Sequence, residues 1–232
     1  MTISNDSRAR IKKVFEPIAL GMGRLGLTPD ALTLIGFAIT VIGATLLAAQ
    51  LWLVGGLVVL FGGVFDMFDG TLARATGRVS NLGAFMDSVF DRAGEAIVYV
   101  GIVIGASRAH FELGAWFAAA ALASAFMVSY VRAKSEGLGF TQGSGMAAVG
   151  IMPREVRLIV LTIGLVGAAA LGGVMPVEIL GENTGLGVSV DATGSFFLLL
   201  ALAIIAIGAT ITVIQRILHV RDQATHHPNQ NQ

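Results

Sequence analysis

No cysteine occurs among the 232 residues. That excludes a disulfide framework, a thiolate metal site and a cysteine nucleophile, and it leaves the redox compartment unmarked. Charge is scarce as well: 13% of the chain is charged, split evenly into 15 acidic and 15 basic residues, so no basic excess points to nucleic acid. Histidine is limited to four residues, two of them the terminal pair His226 and His227, and any metal chemistry must rest on oxygen or histidine ligands. What the chain has in abundance is apolar surface. Its hydrophobic fraction of 55% and mean hydropathy of +0.79 are those of an integral membrane protein.

A bilayer-spanning helix needs roughly 20 mainly apolar residues, and the segments 31–50, 52–76, 81–106, 112–136, 155–177 and 193–216 approach that length. The expected architecture is therefore all-α, with six transmembrane helices. Thr28-Pro29 offers an N-cap and first-turn proline for the first helix, Asn81 a cap for the third, Pro153 a start for the fifth, and Asp191 precedes the sixth. Residues 1–28 carry Arg8, Arg10, Lys12, Lys13 and Arg24 among apolar stretches too short and interrupted for a secretory signal peptide. They are expected to form an amphipathic helix on the membrane surface. No repeat or second domain is visible: 29–221 reads as one helical domain and 222–232 as a disordered tail.

Six crossings put both termini on one side, and lysine and arginine decide which. The N-terminal segment, Arg74, Arg78, Arg132, Lys134, Arg154, Arg157, Arg216 and Arg221 all fall on the terminal side, while the opposite loops hold only Arg108. Both termini are expected in the cytoplasm. The glycine-rich stretch 139–153 lies on that same side and reads equally as a passive linker or as a lid.

Two adjacent helices carry a dense set of carboxylates. Asp66 to Asp91 follows D-x2-D-G-x2-A-R-x8-G-x3-D-x3-D. Asp66, Asp69 and Ala73 share one helical face, and Gly83, Asp87 and Asp91 step by four along the next helix. A short turn at Thr76–Ser80 would bring the four aspartates together. About 14 apolar residues precede Asp66, roughly 21 Å of helical rise, which places the cluster in the cytoplasmic half of a core about 30 Å thick. An aspartate at a transmembrane helix centre costs roughly 2.5–3.5 kcal/mol on insertion scales, so positive charge must compensate. Arg74 and Arg92 supply part of it, and clustered carboxylates are the hard-oxygen ligand set of Mg²⁺, Mn²⁺ or Ca²⁺, in a one- or two-metal site. The spacing is not that of a calcium EF-hand.

At every fixed position this segment resembles the signature of the CDP-alcohol phosphatidyltransferase family. The resemblance implies transfer of a phosphatidyl-type group from a CDP-linked lipid to a hydroxyl acceptor with release of CMP. It implies two divalent ions, Mg²⁺ or Mn²⁺, held by Asp66, Asp69, Asp87 and Asp91, with Asp91 also the candidate base. Gly70, Ala73, Arg74 and Gly83 would shape the CDP-lipid site, and a homodimer is implied too. Asp30 is a weaker candidate for the same site, since a first-turn acid at a helix N-terminus accounts for it equally well. Arg132, Arg154, Arg157 and Arg216 look like the acceptor-phosphate positions of bacterial phosphatidylinositol-phosphate synthases, although the first is often lysine there. Inositol 1-phosphate is the first choice of acceptor and glycerol 3-phosphate the second. Asp-rich intramembrane prenyltransferases would need about nine helices and two separated Asp motifs. An ion or proton transporter also has buried carboxylates, but here they are confined to two adjacent helices near one face. Gly101 and Gly105 form a GxxxG that serves packing within the chain or between copies.

Overall fold

The computed structural model describes residues 5–140, 149–175 and 193–226. Among these residues there are eight helices and no strand: α1 Asn5–Arg24, α2 Pro29–Ala48, α3 Trp52–Phe65, α4 Met67–Thr76, α5 Asn81–Arg108, α6 Glu112–Gly137, α7 Arg154–Ala170 and α8 Thr193–His226.

The expected punctuation holds at α2, where the Thr28 side chain accepts from the Ala31 N–H at 3.2 Å and Pro29 occupies the first turn. At α5 the cap moves by one residue. Ser80, in extended backbone, accepts from the Gly83 N–H at 2.9 Å, and Asn81 is the first helical residue instead of the cap. The segment 52–76 is broken into α3 and α4 at Asp66, whose own backbone stays right-handed helical (φ −55°, ψ −27°), so the chain barely changes course. Gly77 closes α4 at φ 66°, a left-handed conformation that glycine adopts without a Cβ penalty. Pro153 precedes α7 as expected. Helix α8 continues past the expected boundary at 221 to His226. The expected cap at Asp191 and most of the 139–153 loop lie outside the described residues.

Helices α2, α3, α5, α6, α7 and α8 all contribute to the main core, where Leu47, Tyr99, Ile102, Leu165, Leu198, Leu202 and Ile205 are buried. Helix α2 packs along α5 and α3, α7 along α8 and α3, and α1 against α4. The last contact is a small apolar cluster of Ala19, Leu32, Phe68 and Leu72, with the Phe15 and Phe68 rings 5.0 Å apart. Large apolar side chains also point outward, among them Phe61, Trp116, Phe126, Ile163 and Ile207, as hydrocarbon-facing helices require.

The helices Pro29–Ala48, Trp52–Thr76 taken through the break, Glu112–Gly137 and Thr193–Thr225 are long and apolar enough to cross a membrane. Six were expected. Helix α5 has 28 residues but carries Asp87, Asp91, Arg92 and Glu95, and α7 has 17 residues. The charged residues of α5 lie in the site described next.

Candidate active site

The turn Gly77–Ser80 folds α4 back toward the start of α5, and the carboxylates meet there. One oxygen from each of Asp66, Asp69 and Asp87 lies within 4.8 Å of the others. Asp69 is buried and is oriented from two sides: Thr33 Oγ1 on α2 donates to its Oδ2 at 2.5 Å, and the Gly70 N–H donates to its Oδ1. Asp91 joins the group through Arg154, whose Nη1 lies 2.5 Å from Asp91 Oδ1 and 3.2 Å from Asp66 Oδ2. One guanidinium nitrogen thus ties α5 to the α3–α4 break from the first residue of α7.

This is a different balance of charge from the expected one. Arg154, assigned from the sequence to the acceptor, is the cation that touches the carboxylates most closely. Arg92 contributes at 3.6 Å from Asp91 and is shared with Glu95 at the same distance. Arg74 is exposed and forms no ion pair among the described residues. Its guanidinium lies over Gly70 instead, where an added Cβ would stand 3.2 Å from Nη1. Two arginines facing four aspartates leave the cluster short of positive charge, with Arg154 shared between Asp66 and the buried Asp91 Oδ1. Closely set carboxylate oxygens and a deficit of positive charge together fit a hard divalent cation.

The remaining motif residues border this group. Gly83 sits on the first turn of α5, and a Cβ there would lie 3.5 Å from Asp30 Oδ1, so Asp30 faces the motif across the helix start. The Ala73 carbonyl accepts from the Arg78 N–H at 2.9 Å, closing α4. Neither observation assigns these residues a ligand.

Next to the carboxylates lies a cavity of about 610 Å³ whose wall includes Asp87 and Asp91 together with Arg132, Arg154, Arg157 and Arg216. All four arginines singled out in the sequence reach it from α6, α7 and α8, and each is already held. Arg157, only 1% exposed, donates two hydrogen bonds to the Glu95 carboxylate (2.6 and 2.8 Å) and one to the Met152 carbonyl at 2.9 Å. Arg216 donates to the carbonyls of Val149 (3.0 Å) and Val128 (2.5 Å). Arg132 pairs with Glu136 at 2.9 Å on the helix surface. Arg92 also lines the cavity and is anchored by Ser129 at 2.7 Å.

Sequence reasoning missed Thr33, Glu95 and Ser129. Glu95 had a signal, because it extends the four-residue step Gly83, Asp87, Asp91 by one more turn. Thr33 had none, since its partner is 36 positions away.

Helical bundle and site together define a membrane protein with a carboxylate centre beside a cationic cavity. Residues 26–221 match the CDP-alcohol phosphatidyltransferase family, and the chain belongs to it: it is a membrane enzyme, a CDP-alcohol phosphotransferase. Among similar proteins are the phosphatidylinositol phosphate synthase of Cutibacterium acnes, 36% identical over 92% of this chain and 95% of that protein, and the archaetidylinositol phosphate synthase of Pyrococcus horikoshii, 37% identical over 75% of this chain and 87% of that one. The crystal structure of Mycobacterium tuberculosis phosphatidylinositol phosphate synthase with CDP-DAG bound superposes with a TM-score of 0.72 at 27% identity, covering 90% of this chain and 94% of that one. A second structure of that enzyme, in complex with manganese and citrate, gives the same TM-score at 26% identity over 89% and 88% of the two chains.

Proposed function

We propose that the protein transfers the phosphatidyl group of CDP-diacylglycerol to a hydroxyl of inositol 1-phosphate, releasing CMP. The observation that carries this reading is the cavity: a space of about 610 Å³ in which Asp87 and Asp91 share a wall with Arg132, Arg154, Arg157 and Arg216. An anionic, polyol-sized acceptor suits that wall, with its hydroxyl directed to the carboxylate end where the diphosphate would lie. The inositol-phosphate chemistry named for the relatives supports the same choice.

Asp66, Asp69, Asp87 and Asp91 would hold the divalent ions, Mg²⁺ or Mn²⁺ and two in number, which supply charge neutralisation at the diphosphate. The bond formed joins the acceptor oxygen to the phosphatidyl phosphorus, and the bond broken joins that phosphorus to CMP. Asp91 takes the acceptor's proton. Arg74 grips the diphosphate over Gly70 and Ala73, with Gly83 and Asp30 bordering the nucleotide, while Arg132, Arg154, Arg157 and Arg216 bind the acceptor phosphate. Helices α5 and α7 complete six crossings, with their charged faces turned to the site. The α1 helix lies on the membrane surface, both termini and the active site are cytoplasmic, and the enzyme is a homodimer.

The test uses purified full-length protein, Mn²⁺ and radiolabelled CDP-diacylglycerol with inositol 1-phosphate, glycerol 3-phosphate or free inositol. Labelled lipid product is expected with inositol 1-phosphate, and free inositol should be a poor acceptor because it lacks the phosphate. Product with glycerol 3-phosphate alone would move the enzyme to the phosphatidylglycerophosphate branch.

A further inference from the structure

Arg157 is the most enclosed charge in the protein among the described residues, at 1% exposure, and yet it lines the cavity. A guanidinium has five N–H donors. Three are spent: Nε and Nη2 on the two Glu95 oxygens, and Nη1 on the Met152 carbonyl. The two that remain are therefore aimed by a fork that Glu95 sets. A planar pair of parallel hydrogen bonds of this kind fixes both position and rotation, which a single contact does not.

Glu95 itself sits on α5, one turn beyond Asp91, and lines a smaller cavity of about 50 Å³ together with Tyr99, Thr40 and Arg157. Its second cationic neighbour, Arg92, is 3.6 Å away and has an anchor of its own in Ser129 at 2.7 Å. Loss of Glu95 therefore reaches the large cavity chiefly through Arg157.

We propose that Glu95 is a positioning residue for the acceptor, acting through Arg157 by holding that guanidinium, and its two unspent donors, in the cavity wall. It touches neither substrate. The inference rests on the reading of the cavity as the acceptor site.

Steady-state kinetics of the full-length protein in detergent, with inositol 1-phosphate and CDP-diacylglycerol varied in turn, provide the test. Glu95→Gln keeps the shape but loses the charge and turns an N–H₂ toward the guanidinium. It should raise the acceptor KM about tenfold, the loss of one charge-assisted contact, while the CDP-diacylglycerol KM and the kcat at saturating acceptor change less than about threefold by the same scale. Glu95→Asp, which keeps the charge, should recover part of the loss.

Because an unpaired buried arginine can itself unfold a helical core, the Glu95→Gln/Arg157→Met double variant is compared with Arg157→Met alone. Equal acceptor KM values support action through Arg157. A further rise in the double variant, or an unchanged acceptor KM in Glu95→Gln, overturns it. Wild-type protein inactive with inositol 1-phosphate would instead overturn the reading of the cavity, so the two failures are distinguishable.

Discussion

Thr33 donates its hydroxyl hydrogen to Asp69 Oδ2 at 2.5 Å across 36 positions of sequence. Groups that orient a metal-ligating carboxylate typically change metal affinity ten- to hundredfold when removed. Thr33→Val keeps the side-chain shape and removes the donor. Mn²⁺ affinity, measured by titration of the purified protein, should weaken by about ten- to hundredfold, and an unchanged affinity would leave Asp69 oriented by the Gly70 N–H alone. Asp66→Asn, Asp69→Asn and Asp87→Asn should each abolish CMP release while the protein still inserts into the membrane. A near-native rate in any one of them removes that residue from the centre. The four aspartates are legible in the sequence because their spacing is local, i,i+3 in one helix and i,i+4 in the next. Their cation is not: Arg154 lies 88 positions beyond Asp66, and no helical periodicity reaches that far.

At the scale of the element, the GxxxG of α5 has one of its two alternative partners. A Cβ on Gly101 would collide with the backbone of Ala44, and one on Gly105 with the Leu47 carbonyl and the Trp52 ring. Both glycines face α2 of the same chain, so close backbone approach within the protein accounts for them. Gly101→Leu should therefore separate α2 from α5 and destabilise the fold by about 1–3 kcal/mol or more, seen as a lower melting temperature in detergent. A melting temperature equal to that of the wild type would contradict the packing. Because α2 carries Thr33 and α5 carries Asp87 and Asp91, the same substitution should also weaken Mn²⁺ binding. The sequence pattern found these helices but placed the α5 cap one residue late and read 52–76 as unbroken. The break falls at Asp66, where a charged side chain replaces the apolar run that would otherwise continue the helix.

For the whole molecule, the choice between four and six crossings has a direct measurement, made easy by the absence of cysteine. Arg78 lies in the α4–α5 turn and His110 in the α5–α6 turn, so only α5 separates them. Single Arg78→Cys and His110→Cys variants, treated with a membrane-impermeant maleimide in sealed vesicles of both orientations, should label from opposite faces, Arg78→Cys from the cytoplasmic one. Labelling from the same face would mean that α5 does not cross and would remove the six-span topology.

The amino-acid sequence by itself determined the membrane class, the helical architecture and the four-aspartate motif, because hydropathy and helical spacing are properties of neighbouring residues. It also marked four arginines for one site, and the cavity gathers them. Only the tertiary structure decided which charge answers which. Arg154 bridges Asp66 and Asp91, Glu95 holds Arg157, and Thr33 holds Asp69. Those pairings join side chains on different helices, and in a low-dielectric interior an ion's partner is set by which groups the packed helices bring within a few ångströms, a distance that order along the chain does not encode.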